Sequence, residues 1–310
     1  MRATASACGR EASAREGWLM FRAVLTAALI SVGAAGCTSD TTATQDAPIQ
    51  VDPGIAVTTG LGAAERFMET WNTRDPERWA SSLNFPHARP SAGRHRVSQT
   101  KDEYVAGVDY ARVIATGWDH TEFEHLRVIH DGDTKAHVAG RWVRLDAAGN
   151  AIGRNLVTYI ATEVDGQWGI QARFGAGRPL PEDQGRPIAD VAVAKVEESM
   201  TAFNARDPIA WAATFNYPHV RIASGEVRVW ETEEEFAAWI DFDAFAGRDW
   251  DHSAWKEMEA IQVAENGANV ALTFSRYNAD DEAISTFNTL YLVTNENGRW
   301  GIRARSSFAP

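Results

Sequence analysis

Cysteine is nearly missing from this 310-residue chain: Cys8 and Cys37 are the only two, and both precede the stretch whose apolar periodicity marks a folded region. A disulfide framework or a thiolate metal site is therefore closed to the folded part, which must hold itself together by packing. Positive charge is also in short supply. The 30 Lys and Arg face 42 Asp and Glu, a formal net charge of -12 with no basic stripe. Phosphate-backbone binding needs clustered cations, so the sequence argues against a nucleic-acid partner, and the acidic excess reads as a solubilising surface. There is no Gly-rich phosphate loop, no serine nucleophile elbow and no cysteine nucleophile in the folded region. No apolar run reaches the roughly 20 residues of a bilayer-spanning helix.

What is present is globular. Apolar residues make up 45% and the chain holds 12 tryptophans, enough to build two ordinary cores once a leader and a linker are set aside. From Phe21 to Gly36 a single positive charge, a short apolar run and then small residues form a secretory signal pattern. Residues 1–19 carry Arg2, Arg10, Glu11, Arg15 and Glu16 without periodicity, so translation is expected to start at Met20. The segment Ala34-Ala35-Gly36-Cys37 resembles the lipobox of bacterial lipoproteins, with Ala34 where leucine is usual. That resemblance implies lipidation at Cys37; the alternative is an ordinary cleaved signal with an incidental cysteine. The polar tract Thr38 to Asp46 then reads as a tether with nothing to pack. Acyl chains would hold the protein at a membrane surface by lipid anchor alone. Thr38 in place of aspartate resembles the pattern that permits sorting to the periplasmic face of the outer membrane, if the source is Gram-negative.

Self-similarity then organises the remainder. Asn84-Phe85-Pro86-His87-Ala88-Arg89 recurs as Asn216-Tyr217-Pro218-His219-Val220-Arg221, and the same offset aligns Arg74-Asp75-Pro76 with Arg206-Asp207-Pro208. It also aligns Trp118-Asp119-His120 with Trp250-Asp251-His252, and Trp168-Gly169-Ile170 with Trp300-Gly301-Ile302. No gap is needed, and roughly a third of positions agree, so the period is a duplicated domain rather than a solenoid repeat. The expected layout is a leader and lipoprotein signal at 1–37, a disordered tether at 38–60, domain 1 at 61–175, a Gly/Pro-rich linker at 176–189 and domain 2 at 190–310.

Each copy opens with an amphipathic helix, carrying Ala64, Phe67, Met68 and Trp71 in one and Val193, Val196, Met200 and Phe203 in the other. Asp75-Pro76 and Asp207-Pro208 supply an N-cap and a first-turn proline for a second short helix. A strand-like Phe85 to Arg89 follows, and Thr100 to Glu103 and Thr232 to Glu235 are capping boxes that start a third helix. Alternating strands come next, with Asp165-Gly166 and Asn297-Gly298 as hairpin turns. The last strand is expected to set Trp168, Ile170 and Ala172 against Gly169, Gln171 and Arg173. This order implies an α+β class, with N-terminal helices packed on a curved antiparallel sheet. Element order and size together resemble the NTF2-like superfamily, which includes SnoaL-like and ketosteroid-isomerase-like proteins. A cystatin-like fold without the first helices is the competitor. The resemblance implies two cone-shaped domains, each opening into an apolar pocket, and sheet-face pairing of the two copies as an intramolecular pseudo-dimer.

Candidate chemistry sits on repeated residues. His87 and His219 share a strand face with Arg89 and Arg221, so an imidazole could act as acid/base beside a guanidinium that holds an anion; equally, the pairs could satisfy backbone carbonyls and surface carboxylates. Trp118 with His120, and Trp250 with His252, are read as a second, ligand-binding pair on one face, against the alternative of a core tryptophan beside a rim histidine. Arg173 and Arg305 are assigned to the outer sheet face, as domain-domain salt bridges. His125, His130 and His137 suggest a metal, but their counterparts are Glu257, Gln262 and Asn269, so neither metal nor other cofactor is expected. The superfamily's isomerase branch resembles a tyrosine and two aspartates acting on a steroid, a trio with no counterpart here. Three readings follow: a binding module for a small apolar or amphipathic molecule or an envelope protein, a cofactor-free lyase or isomerase using His87 or His219, and a purely structural pseudo-dimer.

Overall fold

The computed structural model describes residues 57–223, 225–246 and 249–309. The leader, Cys37 and most of the 38–60 tether lie outside the described residues. The first half comprises α1 (Gly60–Asn72), α2 (Pro76–Ala80), β1 (Leu83–Ala88), β2 (Val97–Ser98), α3 (Lys101–Ala106), α4 (Tyr110–Ile114), β3 (His120–Asp131), β4 (Lys135–Leu145), β5 (Ala151–Val164) and β6 (Gln167–Gly177). The second half repeats it: α5 (Glu182–Asn204), α6 (Pro208–Ala212), β7 (Phe215–Ala223), β8 (Glu226–Trp230), α7 (Glu233–Trp239), α8 (Phe242–Ala246), β9 (His252–Ala264), β10 (Gly267–Tyr277), β11 (Ala283–Glu296) and β12 (Arg299–Ser307).

Local chemistry explains the boundaries. Asp75 Oδ1 accepts from the amides of Glu77 (2.9 Å) and Arg78 (3.3 Å), and Asp207 Oδ1 does the same for Ile209 and Ala210. The orphan donors of α2 and α6 are thereby satisfied, with proline at the first helical position. Thr100 caps α3, and Glu103 reaches back to the Gln99 amide at 2.7 Å; Thr232 and Glu235 repeat this at α7. Asp165-Gly166 and Asn297-Gly298 both take positive φ at their two central residues, as a type I′ turn requires.

Each half forms a six-stranded sheet, in order β2-β1-β6-β5-β4-β3 and β8-β7-β12-β11-β10-β9. β1 runs parallel to β6 and β7 parallel to β12, and the other pairings are antiparallel. The helices cover one face of each sheet over a core of their own. Phe67, Trp71, Trp79, Tyr104 and Tyr159 anchor the first, and Val196, Trp211, Phe215, Phe236 and Leu272 the second.

The faces turned away from the helices pack on each other. Ile160, Ala172 and Phe174 of the first half meet Val220, Ile222, Leu290 and Leu292 of the second in one apolar cluster, every one of them fully buried. A hydrogen-bond network links buried polar groups in this layer. Gln262 Nε2 donates to the carbonyls of Gly140 (2.9 Å) and Val157 (3.2 Å), while its Oε1 accepts from Thr158 Oγ1 and Asn269 Nδ2. At the equivalent place in the first half, His130 and His137 share an Nδ1 to Nδ1 hydrogen bond of 2.9 Å, and His137 Nε2 meets Ser306 Oγ of the other half at 2.8 Å. Lys135 Nζ donates to Ser307 O (2.8 Å) and Ile222 O (3.3 Å); burial and then the Arg221 charge bring it down to about 8.

Two expectations are corrected. The 176–189 linker is mostly helix: β6 runs to Gly177, and α5 begins at Glu182 and passes through Gly185 and Pro187. Gly185 is buried, with Val263 in van der Waals reach of the position a Cβ would take, so tertiary docking overrides the local Gly/Pro signal. In the last strand of each half the alternation breaks. The register shifts between Ile160 and Ala161 opposite β6, which makes Gln171 an extra residue; Arg303 is its counterpart in β12. A bulge inverts the face of everything after it. Ala172 and Ala304 turn to the layer between the halves, and Arg173 and Arg305 turn inward.

Candidate functional site

Between helices and sheet, each half encloses an open cavity, about 760 Å³ in the first and about 420 Å³ in the second. Aromatic side chains contribute to both walls: Phe67, Trp71, Trp79, Trp142 and Tyr159 in the first, Phe203, Trp211, Trp255, Phe274 and Tyr291 in the second. The difference in size has named causes. Trp239 stands where the first half has Gly107, and Phe245 where it has Val113. Arg228 lies over the Trp239 ring at 5.4 Å, narrowing that side of the second cavity.

Arginines supply the polar part. Arg89, Arg144 and Arg173 line the first cavity, and Arg221, Arg276 and Arg305 line the second at the same offset of 132. Arg173 Cζ sits 4.9 Å from the Phe67 ring centroid and 5.2 Å from that of Trp79; Arg305 Cζ lies 4.9 Å from Trp211 and 5.3 Å from Phe215. Arg144 lies over Trp142 at 5.1 Å, and Arg276 over Phe245 at 4.8 Å. Aromatic faces thus help to carry these cations. Among the described residues no carboxylate pairs with Arg89, Arg144, Arg173, Arg221 or Arg305 within 4.0 Å. The acids on the cavity walls are otherwise engaged: Asp109 caps α4 through the Arg112 amide (2.9 Å), and Asp241 accepts from the Ala244 amide (2.9 Å).

Neighbouring guanidiniums repel one another, Arg89 with Arg173 and Arg221 with Arg305. Arg89 is crowded by protein yet keeps surface exposed to the cavity, and the neighbouring Arg173 charge, then burial, draws it down to about 9. Burial and then Arg305 bring Arg221 down to about 10, so both remain charged at neutral pH.

His87 and His219, the candidate acid/base residues, do not line the cavities. Each is buried, at 1% and 0% exposure, behind the arginines. His87 Nδ1–H donates to the Ile170 carbonyl at 2.8 Å, which leaves Nε2 to accept from Arg173 Nε at 3.3 Å. His219 Nδ1 donates to Ile302 O at 3.0 Å. Burial, then the facing arginine, holds both rings well below the usual imidazole value and keeps them neutral. His87 therefore orients Arg173, which also donates to Tyr104 Oη at 2.9 Å.

Arg89 and Arg221 do reach the cavities. The paired Trp/His positions do not: Trp118 and Trp250 are core residues whose Nε1 donates to Thr121 (2.8 Å) and Ser253 (3.0 Å). His120 and His252 lie near the surface against Asp119 and Asp251. The reason is register. β3 and β9 begin only at His120 and His252, so Trp118 and Trp250 precede the alternation, and Thr121 and Ser253 take the inward place. Sequence reasoning misplaced Arg173 and Arg305 and passed over Arg144 and Arg276, although retention of all three arginines at one offset was the available signal. Among the described residues no cluster of three or more His, Cys, Asp or Glu could hold a metal ion, and no helix is long and apolar enough to cross a membrane.

The chain belongs to the NTF2-like protein (DUF6841) family, which matches it twice, over residues 63–174 and 192–307. A comparison with curated proteins finds no match. Among solved structures, the chain is similar to an NTF-2 like protein of unknown function from Shewanella oneidensis MR-1, at 19% identity over 38% of this chain and 97% of that one, with a TM-score of 0.30. A ketosteroid isomerase-like protein from Erwinia carotovora atroseptica SCRI1043 is similar at 21% identity over 39% and 97%, with a TM-score of 0.29. An NTF2-like protein of unknown function from Pseudomonas putida KT2440 is similar at 14% identity over 42% and 89%, with a TM-score of 0.33.

Proposed function

We propose that the protein is a non-catalytic binding module whose two cavities each take a small amphipathic molecule, displayed at the cell envelope by lipidated Cys37. The observation that carries the binding reading is that both halves keep an open cavity of ligand size in which aromatic side chains and arginines share the lining, a make-up that suits a molecule with an apolar body and a polar end. Against catalysis, the two histidines best suited to proton transfer lie outside the cavities, with their rings committed to backbone carbonyls.

Nile red, a neutral probe that brightens in apolar surroundings, tests the binding reading. Wild type is expected to bind it with micromolar affinity. A Val157→Trp, Thr289→Trp variant, with bulk added to a wall of each cavity, is expected to bind at least about tenfold more weakly. No brightening with wild type sinks the proposal.

The envelope reading rests on the apolar run before Cys37 and the polar tract after it. Expressed in a bacterial host, the full chain is expected in the membrane fraction and its Cys37→Ser variant in the soluble fraction. Equal partition of the two counts decisively against lipidation.

A further inference from the structure

We infer that both cavities select an organic anion, an apolar body ending in an acidic head such as a carboxylate, whose charge is received by Arg89, Arg144 and Arg173 in the first half and by Arg221, Arg276 and Arg305 in the second. This rests on the binding reading above and adds the chemical class of the ligand.

Three observations lead there. The first is divergence around a fixed set. Between the copies Phe67 becomes Ser199, Trp71 becomes Phe203, Tyr104 becomes Phe236 and Trp142 becomes Phe274, yet all three arginines stay. Trp79 and Tyr159 keep their types as Trp211 and Tyr291, and Arg94 becomes Glu226, so the shared part of the two linings includes this arginine triad and two aromatic residues, which fits a ligand whose body differs in part between the halves and whose head does not. The second is charge balance. A chain of net charge -12 places these arginines on its cavity walls without a carboxylate in ion-pair range of Arg89, Arg173, Arg221 or Arg305 among the described residues. Repulsion between neighbouring guanidiniums is unfavourable until an anion enters, and in a partly dehydrated site the attraction is stronger than in water.

The third is an unused donor. Arg305 is 8% exposed, and its Nε has no hydrogen-bond partner among the described residues, whereas Arg173 Nε is taken up by His87. Replacement of Tyr104 by Phe236 removes the hydroxyl that receives Arg173 in the first half, and Tyr291 engages Arg305 instead, leaving Nε as the free donor. An acid oxygen accepting from Arg305 Nε would supply the missing partner.

The test compares two probes with one apolar body, 1-naphthylacetate and 2-(1-naphthyl)ethanol, by titration calorimetry at pH 7 on the full chain. The acid is expected to bind at least about tenfold more tightly than the alcohol. In an Arg89→Gln, Arg221→Gln variant, chosen because neither side chain underlies an aromatic ring, that preference is expected to fall to less than about threefold with alcohol affinity unchanged. Equal binding of acid and alcohol to wild type overturns the anion assignment and leaves the cavity reading standing. Binding of neither overturns both. An undiminished preference in a variant whose circular dichroism matches wild type also overturns it, since the selectivity would then come from elsewhere.

Discussion

Leu292→Asp is expected to cost more than about 3 kcal/mol of unfolding free energy at pH 7, the scale of an uncompensated charge in a protein interior. Leu292 is fully buried on β11, within the apolar layer where the two sheets meet, and its register neighbours Asn269 and Ala304 offer no cation. The penalty can be avoided only by protonating the carboxylate or by parting the sheets. Each half has its own core on the other face of its sheet, so parting is the cheaper escape. A urea titration followed by tryptophan fluorescence should therefore show a lower midpoint and a split into two transitions. Ile284→Asp, at a position already 41% exposed, should shift the curve by no more than about 0.5 kcal/mol. Similar losses for the two variants would mean that the layer between the halves contributes little to stability.

Acid should be equally damaging to the wild-type protein. His87, His130, His137 and His219 are buried imidazoles, and burial holds each below its ordinary value, His130 at about 4. In the unfolded chain the same rings titrate near 6.5, so below that pH the unfolded state binds protons that the native state refuses. Stability is thus fully present above pH 6.5 and falls as pH drops toward the folded values, by up to about 1.4 kcal/mol per pH unit for each ring. Carboxylates held low by their partners, such as Asp119 and Glu124, act in the same direction but only at more acidic pH, which leaves the window from 6.5 to 5 to histidine. The His130–His137 pair needs one Nδ1 to accept, so doubly charging it also breaks the hydrogen bond. Copy two shows the remedy, because Gln262 and Asn269 make the same link without titrating. Urea midpoints at pH 7, 6 and 5 should fall steeply in wild type and about half as steeply in His130→Gln, His137→Asn. Parallel slopes would remove these rings from the account.

Local rules were easy to read in the sequence because they act within a few residues. The Asp-Pro helix starts, the Thr-to-Glu capping boxes and the Asn-Gly turn all appear where the residue types require them. The duplication needed only self-comparison, and the order of elements within one copy pointed to the fold class. Faces were harder. One bulge residue, Gln171, separates a strand whose arginine points outward from one whose arginine points into the cavity, and glutamine carries no mark of that. Alternation projected backward through Trp118 failed for a related reason: the strand had not yet begun. Helix α5 shows the opposite error, in which Gly and Pro were given more weight than the surface waiting to receive them.

The seam between the halves has a consequence for ancestry. Lys135 on one side sits near Phe308, with its ammonium 5.8 Å from the ring, while the matching place on the other side pairs Gly267 with Ala176, where a Cβ would come within 2.6 Å of the Ala176 carbonyl oxygen. Two copies of the first half could not reproduce that fit, because a lysine would have to occupy the space of the glycine. Joining the partners in one polypeptide fixes their local concentration and releases them from having to complement themselves. At this seam each mating surface complements the other half and not a second copy of itself.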